Sequence, residues 1–465
     1  MVLFNTIAVT LLSLIAIPII IGISLKDPKI IALSLIGVLF LFSSSSWGQL
    51  QVENTIYSRG SGQLSFSLIN LFLFIAGAAL LIRKLVDPSY PKLAPPLSNY
   101  FLGFIFLLLA HVLVGMFSGV DILVSLGYTG IINILNMMVF MYLAIMAFRQ
   151  EKDRNKLLAA IIMLAGIRAL FGITRFIWFG GDTANPYRNF EGLDIKIVFF
   201  DMSDNFVASL AAFCAAWLIT SPGVRLSMIK RLALYGFLAL EIAAVALSFR
   251  RASLIGLALM FAFLFYRLPA KKRIQSLLMA GVILTVTALV FFQQRLQFSS
   301  HGAGNVITSL IYDISPEKSL SSGNRFYELW AAAKSVEGNW LLGLGTWGTF
   351  TGDQEILDYH FGKFDFIHSG FGHIILKTGL VGLILFSGLL IKFMRYYFKH
   401  CNHVTGNARL LADAGFAGFL FWLPTLLIGT PIIEFRTMLL IGLTLALPFI
   451  AVGLKNHRTS NYAFT

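Results

Sequence analysis

The stretch YFLGFIFLLLAHVLVGMF, from Tyr100 to Phe117, carries no charged side chain. As an α-helix it would rise about 27 Å at 1.5 Å per residue, close to the roughly 30 Å hydrocarbon core of a bilayer. Apolar runs of similar length recur along the chain and are separated by short polar connections. The sequence therefore predicts a bundle of membrane-spanning helices.

The overall composition agrees with this stretch. Of the 465 residues, 57% are hydrophobic and only 12% are charged, whereas soluble domains carry about 25% charged residues. This composition excludes a water-soluble fold. A formal net charge of +14 would suggest nucleic-acid binding in a soluble protein, but in a membrane protein basic loops first report topology. We therefore expect no nucleic-acid partner.

We predict an all-α integral membrane protein with about 12–13 transmembrane helices, forming a single polytopic domain over residues 1–465. The thirteen predicted spans are 4–25, 30–48, 66–82, 100–117, 129–148, 157–177, 197–220, 232–248, 253–268, 275–292, 368–391, 410–429 and 435–454. Alternation of these spans places most of the 36 lysines and arginines on one side, which we predict to be cytoplasmic. The N-terminus is then external, although a miscounted first helix would change that end alone.

Two predicted external loops are long, residues 178–196 and 293–367. Long loops in compact proteins often carry function, and acids outnumber bases in the second one. A generic polycationic surface is therefore excluded there, and each arginine calls for a local reason. We expect the 293–367 loop to carry the chemistry.

A helix is predicted in this loop over residues 324–336, with Asn324 at its start and Gly338 just past its end. Arg325 would then lie in the first turn, where the helix dipole disfavours a cation by itself. A bound anion such as phosphate, held by the free N–H groups of that turn, would make the position favourable. The other interpretation is an exposed arginine on an interfacial helix. The helix would carry one apolar stripe, formed by Phe326, Leu329, Trp330 and Ala333.

Arg250 and Arg251 lie at the junction of the eighth and ninth predicted spans, on the side where basic residues are disfavoured. Arginine presents a planar fork that suits phosphate oxygens, so these residues are candidates for binding a diphosphate. Their alternative role is to reach outward to lipid headgroups.

A glycine-rich turn, GLGTWGTF from Gly343 to Phe350, follows the predicted loop helix. Gly343 and Gly345 would allow backbone N–H groups to approach an anion, although a flexible link is an equally good interpretation. Because the turn follows no strand, a nucleotide-binding motif is not expected.

Two histidines close the loop in FIHSGFGH, from Phe366 to His373. Imidazole transfers protons near neutral pH, so His368 is the candidate base for activating a sugar hydroxyl, with His373 as a weaker partner. Their five-residue spacing puts them on different helix faces, and we find no third ligand, so no metal is expected. A histidine hydrogen-bonded to backbone is the alternative.

In order and spacing, four motifs between residues 248 and 382 resemble the O-antigen ligase and O-antigen polymerase superfamily of bacterial inner-membrane glycan transferases. These motifs are SFRR from Ser248, NRFYELW from Asn324, LGLGTWGTF from Leu342, and HSGFGHIILKTGLVG from His368. Two positions depart from the family pattern, since Ser369 stands where asparagine is frequent and Lys377 where an acid is common. These departures leave the acceptor class open.

The resemblance implies glycan transfer from an undecaprenyl-pyrophosphate carrier, without cofactor or metal, at the periplasmic face of the inner membrane. It places the catalytic histidine at His368 and the pyrophosphate-binding arginines at Arg250 or Arg251 and at Arg325. Secondary positions are His373, Gly343, Gly345 and Lys377. The expected acceptor is lipid A-core for a ligase, or a second carrier-linked glycan for a polymerase.

Two other functions remain open on the sequence. A flippase or transporter of lipid-linked oligosaccharides would need charges inside the spans, where only Arg168, Glu241 and Lys377 stand out. A metal-dependent membrane glycosyltransferase would need paired acids in an early external loop, where Glu53 stands alone.

Overall fold

The structure of the chain is a computed structural model, and it describes residues 17–43, 57, 67–87, 97–185, 196–221, 226–269, 272–273, 320–357, 360, 362 and 364–453. These residues form helices and irregular connections, with no strand among them. The α-helices, numbered in chain order, are α1 (Ile17–Lys26), α2 (Pro28–Leu41), α3 (Leu68–Val86), α4 (Ser98–Phe117), α5 (Ile122–Ser125), α6 (Ile132–Ala147), α7 (Glu151–Trp178), α8 (Met202–Thr220), α9 (Met228–Ala246), α10 (Arg251–Arg267), α11 (Leu320–Val336), α12 (Gly370–His400), α13 (Gly406–Ile428) and α14 (Phe435–Val452).

The all-α membrane fold predicted from the sequence is confirmed. Seven of the described helices (α3, α4, α7, α8, α12, α13 and α14) are long and apolar enough to cross a membrane. Every predicted span overlaps a described helix except the one at 275–292, which lies outside the described residues, as does Glu53. The first predicted span is described only from Ile17 onward.

The centre of the bundle is formed by α8, α13 and α14. Nearly all of α8 is buried, because small residues such as Ala211 and Ala215 let neighbouring helices approach closely. α13 packs on α14 and α10, while α14 also packs on α6. Gly256 of α10 lies directly against Phe421 of α13, where a methyl group would clash. This packing holds the first residues of α10, α12 and α14 at one end of the bundle.

A buried ion cluster lies at that same end. Arg168 of α7 pairs with Asp204 of α8 at 2.6 Å, and Arg436 of α14 bridges Asp204 at 2.6 Å and Asp201 at 2.8 Å. Both arginines also donate to backbone carbonyls at the end of α2, those of Leu41 and Leu39 respectively. The cluster therefore ties four helices together.

This cluster corrects the sequence-based count of intramembrane charges. Asp204, Asp413 and Arg436 lie buried within helices, besides the three residues singled out from the sequence. Asp204 and Arg436 are paired across distant helices, a contact that the sequence alone does not show. At the other end of the bundle, Asp413 accepts hydrogen bonds from Tyr397 and Trp217.

Candidate active site

The loop helix α11 carries the centre of the site. It runs from Leu320 to Val336 and ends before Gly338, whose φ of 91° is the left-handed conformation expected after a helix. The predicted start at Asn324 is wrong, because the helix begins at Leu320. Arg325 consequently lies in the second turn, where free N–H groups are no longer available, so the argument for a phosphate at the helix N-terminus fails.

The inward face of α11 is unusual because it carries a carboxylate. Glu328 is 1% exposed and lies beside the small side chains of Ala331 and Ala332, which bring α11 close to the bundle. Arg325 lies one turn earlier on the same side of the helix, since residues three apart are neighbours on a helix surface. Its side chain is half-buried.

Two histidines converge on this carboxylate. His368 Nδ1 lies 3.0 Å from Glu328 Oε1 and 3.2 Å from Oε2, and the His368 backbone N–H donates to Oε1 at 2.9 Å. On the other side, His360 Nε2 lies 2.8 Å from the same Oε1. The side chain of His368 remains 19% exposed, whereas those of Glu328 and His360 are buried. Only His368 of these three offers an accessible edge.

Aromatic rings hold His360 in place. Phe350, Phe364 and Phe366 all lie with ring centroids within 5.7 Å of the His360 ring, and the backbone N–H of Phe350 donates to the carbonyl of Phe364. The segment before α12 is therefore folded back on itself around an imidazole. This packing orders the chain that leads into His368.

The position of His368 is also set by the start of α12. Ser369 is the N-cap residue, and its side chain accepts a hydrogen bond from the backbone N–H of Gly372 at 3.1 Å. His368 thus immediately precedes a capped helix, at the end of a candidate membrane span. The imidazole lies between the loop and the bundle.

Glu328, His360 and His368 also have the composition of a metal site, because their ligand atoms all lie within 4.8 Å of one another. Two imidazole nitrogens and a carboxylate oxygen are ligands that zinc accepts. The separations of 2.8 and 3.0 Å equally fit direct hydrogen bonds, and the His368 backbone N–H already occupies Oε1. Sequence reasoning missed Glu328 and His360 because they lie 40 and 8 residues before His368.

The glycine-rich turn packs against α12. Lys377 is buried and its Nζ donates to the carbonyl of Gly348 at 2.6 Å. Gly343 and Gly345 adopt φ values of 71° and 86°, and a Cβ at Gly343 would lie 2.6 Å from the backbone nitrogen of Gly379. These contacts give Gly343 and Lys377 a structural function in joining the loop to the helix. Their predicted secondary role in substrate binding stays a prediction.

The second predicted histidine is separated from the first. His373 is buried in the first turn of α12 and faces the backbone of Thr129 and Gly130 before α6. It points into the bundle, whereas His368 is partly exposed. A shared task for the two imidazoles would require a rearrangement, so His373 is the weaker candidate here too.

Arg250 and Arg251 lie at the start of α10, just after the short connection from α9. Arg250 donates from Nε to the carbonyl of Phe200 at 2.9 Å, and its guanidinium lies 3.9 Å from the centroid of the Phe200 ring. Burial raises the pKa of Glu434, and Arg250 is near enough to oppose that rise. Arg251 is the exposed first residue of α10.

Arg250, Arg251 and His368 therefore lie at the same end of the bundle, on different elements. Gly370, two residues after His368, contacts Leu426 near the end of α13, and Glu434 lies in the connection that follows α13. A common binding site for the arginines and His368 stays a prediction.

Comparison with known proteins confirms the resemblance over part of the chain. Residues 235–387 match a family model described as O-antigen ligase, a segment that includes Arg250, Arg325, Glu328, His360 and His368. A search of curated proteins finds no match. The family match supports glycan transfer in surface-polysaccharide biosynthesis and a glycosyltransferase-like activity in general terms, in a multi-pass membrane protein.

Proposed function

We propose that this protein transfers a glycan from an undecaprenyl-pyrophosphate carrier to an acceptor hydroxyl at the periplasmic face of the bacterial inner membrane. The observation that carries the proposal is the Glu328–His368 pair, which presents a partly exposed imidazole at the end of a membrane span. Residues 1–465 act as one membrane domain, with the 293–367 loop on the periplasmic side.

The chemistry begins with the proton on the acceptor. With Nδ1 of His368 held by Glu328, its Nε2 is left to accept the proton of the attacking hydroxyl, and the carboxylate stabilises the imidazolium that forms. The acceptor oxygen then forms a bond to the anomeric carbon, and the bond from that carbon to the diphosphate oxygen breaks. Direct displacement of this kind inverts the anomeric configuration.

The leaving diphosphate gains negative charge as its bond breaks. Arg250, Arg251 and Arg325 are the groups we assign to it, because guanidinium forks pair with phosphate oxygens at two points. Several arginines can supply the charge stabilisation that a divalent ion provides in other glycosyltransferases. We therefore propose a reaction that needs no metal.

The family match does not distinguish a ligase from a repeat-unit polymerase, so the experiment must separate the two. Carrier lipids and lipopolysaccharide are extracted from a deletion strain and from the strain complemented with the gene. Long glycans that accumulate on the carrier and are missing from lipid A-core identify a ligase. Single repeat units on the carrier identify a polymerase. Normal glycans in both pools would refute the proposal.

Transport of a lipid-linked glycan is the rival function, and the buried ion cluster bears on it. Charges inside a bundle mark transport pathways when they line a water-filled cavity. Here Arg168, Asp204 and Arg436 are paired with one another and bind carbonyls at the end of α2. Such pairing favours a structural function, which supports the transferase over the transporter.

A further inference from the structure

The outward face of α11 is apolar. Phe326 and Trp330 are 59% and 57% exposed, and Leu329 between them is also exposed, while the inward face carries Glu328. A helix lying on a protein in water has the reverse arrangement, with its apolar stripe buried. The predicted stripe of α11 is therefore real, but it faces away from the protein.

The chain after α11 continues this apolar surface. Trp340, Leu341 and Leu342 are exposed, and Leu341 reaches 65%. Contiguous exposed apolar groups of this kind mark an interaction surface. The nature of the partner follows from where the backbone of this segment lies.

Residues 339–344 are hydrogen-bonded to an interruption in α12. Gly379 has φ 60° and ψ −156°, which breaks the helix. The backbone N–H groups of Leu380 and Val381 donate to the carbonyls of Trp340 and Leu341 at 2.8 and 3.2 Å. In return, the N–H of Leu344 donates to the carbonyl of Leu376 at 2.8 Å. Backbone groups of this segment therefore replace the hydrogen bonds that α12 lacks at its interruption.

This docking point lies deep along a candidate span. Gly379 is nine residues past the start of α12 at Gly370, which corresponds to about 13 Å along the helix axis. The part of α12 from Gly370 to Ile391 carries no charged residue except the buried Lys377 and is about 33 Å long, close to the roughly 30 Å of a hydrocarbon core, so Gly379 lies well inside the apolar part of the span. Irregular backbone is tolerated at that depth when protein groups satisfy its hydrogen bonds, as α12 does here.

The exposed side chains of the segment adjoin the outer face of the same span. Leu380, whose N–H binds Trp340, is exposed, and Ile384 one turn further along α12 is exposed as well. The apolar surface of residues 340–342 is therefore continuous with the surface that a spanning helix presents to acyl chains. That continuity indicates that the partner of the exposed surface is the hydrocarbon of the bilayer.

From these contacts we infer that residues 339–344 form a re-entrant segment, whose Trp340, Leu341 and Leu342 contact the bilayer hydrocarbon of the leaflet on the side of the active site. The Phe326 and Trp330 face of α11 rests at the boundary of the same leaflet. This inference does not depend on the proposed reaction. It places Glu328, and through it His368, at the depth of lipid headgroups, where the diphosphate of a membrane-bound substrate lies.

The test measures the environment of one side chain in the full-length protein. Cys214 and Cys401 are both buried and are first replaced by alanine, and Leu341→Cys is then labelled with a nitroxide in phospholipid vesicles. The matched control is Glu355→Cys, an exposed acidic position in the same loop. Paramagnetic relaxation by oxygen, which concentrates in hydrocarbon, is compared with relaxation by a water-soluble nickel complex.

We expect the label at 341 to be relaxed several-fold more by oxygen than by nickel, with the order reversed at 355. Dominant nickel relaxation at 341 would place the segment in water and overturn the inference. Protection from both reagents would also overturn it, because a protein partner or a second copy would then cover the surface. Trp330→Cys gives an independent reading in case Leu341→Cys does not fold, with oxygen relaxation again expected to exceed that at 355. Because neither reading needs activity, failure here is distinct from failure of the proposed reaction.

Discussion

His368 Nδ1 lies 3.0 Å from Oε1 of Glu328, a carboxylate 40 residues earlier in the chain. The two side chains are brought together because α11 turns its small residues and its one acid toward the bundle, while Ser369 caps the next helix. A carboxylate on one imidazole nitrogen orients the other toward a substrate. The predictions about activity follow from this pair.

Replacement of His368 by alanine should abolish glycan transfer while leaving the protein in the membrane. Loss of a general base lowers a rate by about 10²–10⁴-fold, which would remove detectable product in a glycan analysis. The matched control is His403→Ala, an exposed histidine at the other end of α12, which should keep normal activity. Normal products from the His368 variant, at wild-type protein levels, would exclude this residue from the reaction.

Glu328→Gln should lower kcat by roughly 10²-fold or more with little change in KM for the carrier-linked donor. Glutamine has nearly the same shape, but it lacks the charge that stabilises a protonated imidazole, as carboxylates do in hydrolase triads. Because Glu328 acts through His368, it is a positioning residue, and Glu328→Asp should recover part of the lost kcat.

A structural role for Glu328 alone would give a different pattern. Protein yield and thermal stability would then fall in both variants, and kcat per folded molecule would stay at the wild-type value. Metal analysis of the purified protein provides a further check. If the wild-type protein holds one equivalent of zinc and the His360→Ala variant holds none, the three residues form a metal centre and not a hydrogen-bonded cluster.

Arg325→Lys and Arg250→Lys should each reduce transfer by about tenfold or more, because a point charge does not reproduce the two-pronged contact of a guanidinium with a diphosphate. Arg231→Lys, on the exposed first turns of α9, is the matched control and should leave the rate of transfer unchanged. Transfer is measured with a fixed amount of carrier-linked donor in vesicles. Wild-type rates in both arginine variants would remove these residues from the binding site.

The fold was predictable from the sequence because each span is a local property of the chain. Apolar runs such as Tyr100–Phe117 identify a helix without knowledge of its neighbours. The helix α11 was also predictable, from its 3.6-residue periodicity, whereas the catalytic role of His368, inferred from its chemistry and position, stays a prediction. The start of α11 was misplaced by four residues, since Asn324 resembled a cap but the helix extends to Leu320.

The partners of His368 were not predictable, for a physical reason. Glu328 and His360 become neighbours only when three separate segments fold together, and nothing in their local sequence distinguishes them from solvated residues. The same holds for Asp204 and Arg436, which lie 232 residues apart and pair across the bundle. Tertiary contacts of this kind need the three-dimensional structure.

Removal of Arg436 should destabilise the bundle strongly. Arg436→Gln would leave Asp201 and Asp204 buried with less compensating charge, and breaking a buried ion pair in this way costs about 3–5 kcal/mol. Thermal unfolding in detergent should show a lowered midpoint, whereas Arg395→Gln, on an exposed face of α12, should not change it. An unchanged midpoint for the Arg436 variant would mean that the cluster does not hold the helices together.

Gly343→Ala should detach the loop from α12 and reduce both stability and activity. The residue has a positive φ and its added methyl would lie 2.6 Å from the nitrogen of Gly379, so backbone strain and a clash act together. Either effect alone costs on the order of 1–3 kcal/mol.

Gly236→Ala is the matched control, because Gly236 lies within α9 with open space around it and alanine favours a helix. If the loop is held by this contact, limited proteolysis should cut the Gly343 variant between α11 and α12 and leave the Gly236 variant intact. Equal resistance of the two variants would show that the loop stays attached to α12 without the close approach at Gly343.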